Sequence, residues 1–148
     1  SEMGGMPVTS IGEFCFNGGY GHSIGDIYDF PHPNKENNNK ITKVTVPSSV
    51  KTICAEAFSF MESLNEVVLN VGLELIDEFA FANCPKLAQL NLPDSLVTFE
   101  FTAVDVTPVT ELVFGSNLKS IDITNFDDFY VKRLVQDYVP LAVQTLTT

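Results

Sequence analysis

Apolar residues recur along this chain at a fixed spacing. Counted from Ile41, they fall at positions 1, 4, 6, 10, 13, 17 and 18 of a unit that restarts at Leu64, Leu87 and Val109. The first unit, Ile41 to Ser63, puts Ile41, Val44, Val46, Val50, Ile53, Ala57 and Phe58 at these positions. The second, Leu64 to Lys86, puts Leu64, Val67, Leu69, Leu73, Ile76, Ala80 and Phe81 there. The third, Leu87 to Pro108, has Leu87, Leu90, Leu92, Leu96, Phe99, Ala103 and Val104, and the fourth continues with Leu112, Phe114, Leu118, Ile121, Asn125 and Phe126. Position 7 holds Pro47, Asn70, Pro93 and Gly115, all turn formers. A period of this length predicts a stack of coils.

Positions 4 and 6 have the period of a strand, with both side chains on one face. Positions 10 and 13 lie past a corner in a second short extended run. Positions 17 and 18, Ala-Phe in the first two units, predict a tight helical or 3₁₀ turn that drives a ring inward. No single coil buries its own apolar edge, so coils stack about 4.8 Å apart and like positions form ladders. Phe16, Phe58, Phe81, Val104 and Phe126 form one such column. Each fully buried ring there contributes roughly 1.5–3 kcal/mol. A sandwich of unrelated strands is the competing architecture, but it gives no reason for Ala-Phe to recur in register with the turn residues.

The pattern L-x-x-I-x-I-P-x-x-V-x-x-I-x-x-x-A-F resembles the BspA-type leucine-rich repeat, also called the Treponema pallidum type. It reads VTVPSSVKTICAEAF over Val44 to Phe58 and LNLPDSLVTFEFTAV over Leu90 to Val104. The family's I-G-x-x-A-F survives as Ile11-Gly12-Glu13-Phe14-Cys15-Phe16, and Cys84 matches the family's cysteine. Asn70 for Pro, Val104 for Phe and Asn125 for Ala depart from it. The expected fold is a right-handed leucine-rich repeat solenoid of short β-strands with short 3₁₀ or helical turns, in about four to five coils of about 22–25 residues. The resemblance implies a cell-surface or secreted protein used in adhesion.

The reading is one domain over residues 1–148. Residues 6–20 are a partial N-terminal coil, in which Val8 and Ile11 match positions 10 and 13 and the first strand is missing. Residues 1–6 read as a remnant or a processed start. Residues 21–40 are an inserted loop, rich in Pro and Asn, that is either a binding element or a tolerated surface loop; Ile24, Ile27, Tyr28 and Phe30 could pack it back on the coils. Residues 41–133 hold four repeats. Residues 134–148 read as a degenerate C-terminal coil, with Leu146 at position 13, against a competing amphipathic helix from Asp127 to Tyr138.

Charge narrows the partners. The net charge is −11, from 19 acidic and 8 basic residues. Such a surface repels phosphate backbones, which argues against nucleic acid and against an anionic membrane. The longest apolar runs are too short to span a bilayer, and no signal-peptide pattern opens the chain. The three cysteines sit in different columns, so free thiols are expected: Cys15 and Cys84 inward and Cys54 at a corner.

Candidate chemistry is sparse. No nucleophile–base pattern, phosphate loop or zinc spacing is present, so no catalytic residue, metal or cofactor is assigned. His22, Asp26, Asp29 and His32 share the insertion without a ligand spacing, and Asp77, Glu100 and Asp122 share position 14 as a solvated acidic edge. The candidate site is the outward strand face at positions 3 and 5: Lys43, Thr45, Glu66, Val68, Gln89, Asn91, Glu111 and Val113. Its expected partner is a protein or a glycan. The alternative is a spacer segment of a longer array that binds nothing.

Overall fold

Short parallel strands, one from each repeat, carry the architecture. The structure, a computed structural model, describes residues 2–3, 6–19, 33–109, 111–113, 120–122 and 146–147. Along the second apolar run, β3 (Ser10–Ile11), β5 (Thr52–Ile53), β7 (Leu75–Ile76), β9 (Thr98–Glu100), β11 (Ser120–Asp122) and β12 (Leu146–Thr147) line up as one six-stranded parallel sheet. Ile11 opposes Ile53, Ile53 opposes Ile76, and Ile76 opposes Phe99. Phe99 then opposes Ile121, and Ile121 opposes Leu146. Alternation across β3, β5, β7 and β9 therefore sends Ile11, Ile53, Ile76 and Phe99 to one face. Ile53, Ile76 and Phe99 in that column are fully buried.

The first run behaves differently. β4 (Lys43–Val46) pairs in parallel with β6 (Glu66–Leu69), and β8 (Gln89–Asn91) with β10 (Glu111–Val113). β6 and β8 lie side by side, but among the described residues no main-chain ladder joins them. The strand face is thus two ladders of two rather than one of four. Between the second and third units, main-chain continuity comes from the second run and from the turns, where Phe81 N–H donates to Ala103 O and Asn83 N–H to Asp105 O.

The turns at positions 15 to 20 differ from the expected short helices. Glu56 and Phe79, both at position 16, have φ of +54°, as does Phe14 in the N-terminal coil. A left-handed residue interrupts a helical run, and the segment becomes successive turns closed by Ala57 N–H to Cys54 O and Ser59 N–H to Glu56 O. Every second N–H instead points along the stack: Glu56, Phe58 and Phe60 donate to the carbonyls of Glu78, Ala80 and Ala82. Phe14, Phe16 and Gly18 donate to Ala55, Ala57 and Ser59 in the same way. Among the described residues, only the third unit forms a 3₁₀ helix, Phe101–Val104; its position 16, Thr102, is not left-handed.

Position 20 is left-handed too, in Phe60, Asn83 and Val106. Val106 is β-branched and 72% exposed, so it gains little from packing to offset a conformation costing about 1–2 kcal/mol. Val106→Asn, which copies Asn83 one unit earlier, should raise stability by about 1 kcal/mol. A higher urea midpoint at unchanged m would show it.

The core is the set of inward columns. Phe58 stacks on Phe81 with centroids 5.2 Å apart and on Phe16 at 5.3 Å, each pair within 4° of parallel. Val104 continues the column and is buried, while Phe126 lies outside the described residues. Phe16 ends the stack and remains 38% exposed. Cys15, expected inward with Ala57 and Ala80, is exposed. Among the described residues, β3 of its coil pairs on one side only, with β5.

The insertion also differs from a plain loop where it is described. Its end forms a one-turn helix, α1 (Lys35–Asn38), and Asn38 is buried. Asn38 Nδ2 donates to Asn17 O (3.0 Å) and Asn39 Nδ2 to Gly18 O (2.9 Å), tying this end to the N-terminal coil. Asn17 in turn donates to Ser59 Oγ at 2.6 Å. The aromatic and His residues placed at 22–32, and most of the C-terminal segment with its competing helix, lie outside the described residues.

Candidate functional site

The outward face of the first run is set by the strand period. Inward Val46, Val67, Leu90 and Leu92 are buried, so the residues between them must point to solvent. Lys43, Thr45, Glu66, Gln89 and Asn91 are exposed, and Val68 is half-buried. Register places Lys43 opposite Glu66 and Thr45 opposite Val68. Glu111 falls opposite Gln89, and Val113 opposite Asn91.

Within this face the polar groups engage each other. Lys43 Nζ lies 2.6 Å from Glu66 Oε1, with both side chains about half exposed (53%). Gln89 Nε2 donates to Asn91 Oδ1 at 3.2 Å. An exposed ion pair like this contributes at most about 1 kcal/mol, so a partner can break it at small cost. The face offers a cation, a carboxylate, an amide pair and a hydroxyl on a rigid parallel scaffold. That suits polar recognition and contains no nucleophile–base pair.

The other sequence candidates disperse. At position 14, Cys54, Asp77 and Glu100 are half-buried, and Asp77 Oδ1 accepts the N–H of Glu78 at 2.9 Å, capping its own turn. Cys54 Sγ meets Ser10 Oγ at 3.4 Å. Among the described residues no three His, Cys, Asp or Glu side chains are grouped to hold a metal ion, and no helix is long and apolar enough to cross a membrane.

Cys84 is buried as expected, and its role is structural. Its Sγ donates to Phe58 O at 3.2 Å; one unit later Thr107 Oγ1 donates to Phe81 O at 2.7 Å from the same position 21. Burial pushes the Cys84 thiol from its ordinary value of 9.0 up to about 11. Because the unfolded chain then loses its proton first, stability should hold below about pH 9 and fall as pH rises toward 11, by roughly 2–3 kcal/mol at most. Cys84→Thr should flatten this alkaline limb in a pH series of urea melts.

One feature escaped the sequence reading. Between the N-terminal half-coil and β4 lies a groove of about 480 Å³, lined by Val8, Ile11, Phe16, Ile41, Val44 and Phe58 among others.

Comparison with known proteins follows from this geometry. A family model described as the BspA type leucine rich repeat region matches residues 36–138 in six copies. The crystal structure of the pneumococcal vaccine antigen PcpA is similar, with a TM-score of 0.53 and 25% identity over 78% of this chain. This chain spans 26% of that one. A search of curated proteins finds no match.

Proposed function

We propose that this chain, which belongs to the BspA-type leucine-rich repeat family, is a non-enzymatic binding module whose first-run strand face recognises a protein or a glycan. We read the stack as a right-handed solenoid of about four to five coils, treated as one domain over residues 1–148. The observation that carries the proposal is the exposed row Lys43, Thr45, Glu66, Gln89 and Asn91, held in place by parallel ladders on buried neighbours. Laddered faces of repeat proteins commonly bind partners. Likeness to a vaccine antigen supports an extracellular or surface setting with an adhesive role.

The test uses a printed array of glycans and extracellular-matrix proteins. The wild-type chain should give specific signals, and Glu66→Ala/Gln89→Ala/Glu111→Ala should weaken them at least about tenfold, a change of about 1.4 kcal/mol. An unchanged signal with an unchanged melting temperature moves the site off this face. The spacer reading has one point in its favour, the match to only 26% of a much longer chain. It predicts no specific signal from either protein.

A further inference from the structure

The chain contains one Asn-Gly pair, Asn17-Gly18. It closes the N-terminal coil, which follows the antiparallel pair β1 (Glu2–Met3) and β2 (Met6–Pro7). In an Asn-Gly pair the asparagine side chain is open to attack by the next main-chain nitrogen, because glycine has no side chain to shield that nitrogen. Two packing demands fix the pair here. A Cβ at Gly18 would strike the carbonyl oxygen of Phe60 and Oδ1 of Asn39, so the close approach of the coils requires glycine. Asn17 is fully buried and must supply a donor. Gly19 N–H donates to Asn17 Oδ1 at 2.7 Å, which turns Nδ2 toward Ser59 Oγ at 2.6 Å. The Ser59 hydroxyl proton goes to Glu56 O at 3.1 Å, so its oxygen faces Asn17 as an acceptor. Glu56 Oε2, 3.5 Å from the same Nδ2, is a second acceptor.

The same contacts keep the pair unreactive. Attack needs the Gly18 nitrogen to give up its proton and reach Asn17 Cγ. Gly18 N–H instead donates to Ser59 O at 2.8 Å. Asn38 Nδ2 holds Asn17 O and Asn39 Nδ2 holds Gly18 O. The Asn17 amide is itself pinned at both its oxygen and its nitrogen. Ring closure must therefore wait until the coil lifts from the stack.

We propose that Asn17 is a site of spontaneous deamidation, shut while the N-terminal coil is docked and open when it lifts, and that the modification stops the coil from docking again. In the lifted coil the Gly18 nitrogen bonds to Asn17 Cγ. The Cγ–Nδ2 bond breaks, and the NH₂ group leaves with the Gly18 proton as ammonia. Water then opens the cyclic imide at either carbonyl, leaving aspartate or isoaspartate in place of Asn17. The new carboxylate has no proton to offer Ser59 Oγ and sets a second negative charge against Glu56. Isoaspartate also lengthens the main chain by one methylene, which moves Gly18 N–H out of register with Ser59 O.

Peptide mapping reads the conversion in native protein and in urea-unfolded chain, kept side by side in mildly alkaline buffer. Asn17 should convert at least about tenfold more slowly in the native protein, since local opening must come first. Ser59→Ala should speed conversion in the native protein and leave the unfolded rate unchanged. Asn17→Asp reads the consequence: amide exchange at Phe16 and Gly18 should quicken at least about tenfold while Ile76 is unchanged. Equal rates in native and unfolded protein, or an unfolded chain that keeps Asn17 intact, overturn the proposal. Exchange at Phe16 and Gly18 unaffected by Asn17→Asp overturns the block on docking.

Discussion

Phe81→Ala is expected to cost about 3–5 kcal/mol, a large share of the roughly 5–15 kcal/mol that a domain usually has. Phe81 is fully buried and stacks face to face on Phe58 at 5.2 Å, so its removal opens a cavity that rigid main-chain ladders cannot collapse. The effect should spread. Phe81 N–H donates to Ala103 O and Phe58 N–H to Ala80 O, which links the ring to hydrogen bonds on both sides of its coil. Urea unfolding should show the loss, and amide exchange should accelerate at Phe58 and Phe81 together. A variant as stable as wild type would mean that this column does not hold the stack together.

Gly72→Ala is the second large effect, about 2–4 kcal/mol, from backbone strain of about 1–3 kcal/mol plus a weakened hydrogen bond. Gly72 has φ of +126°, a conformation that side chains rarely adopt. A Cβ there would strike the carbonyl oxygen of Ser48 in the preceding coil. From the following coil, Ser95 Oγ accepts the Gly72 N–H at 2.8 Å and donates to Leu73 O at 2.7 Å. The corner is therefore clamped from both sides. Repeat logic points the other way, since position 9 holds Ser49 and Ser95 in the neighbouring units. Gly72→Ser is the sharper experiment for that reason: it looks harmless by alignment of units, yet it should lose nearly as much as Gly72→Ala. A urea midpoint equal to wild type for either variant contradicts the steric account.

The register of the second run could be read from the chain directly. Ile53, Ile76 and Phe99 recur at one position, and each opposes the next in the sheet. Equal spacing leaves only one pairing that buries all of them, so periodicity and packing select the same answer. The aromatic column was readable for the same reason. The candidate face followed as the complement of the buried positions, since alternation in a strand fixes which residues remain outside. The left-handed residues were not readable: Glu56, Phe79 and Val106 are not residues that favour positive φ. At Glu56 the left-handed turn goes with an N–H turned along the stack to Glu78 O, a partner in the next coil that spacing along the chain does not show.

The amino-acid sequence by itself determined the length of the unit, which side chains stack and which stay outside, because these depend only on spacing along the chain. The tertiary structure decided what depends on neighbours in space. It divided the first-run face into two ladders, left Cys15 exposed beside β3 at the edge of the described sheet, and joined Asn38 and Asn39 to a coil about twenty residues away in sequence. It also opened the groove beside β4. A repeat states what each coil has in common with the next; it does not state which contacts each coil makes outside that shared pattern.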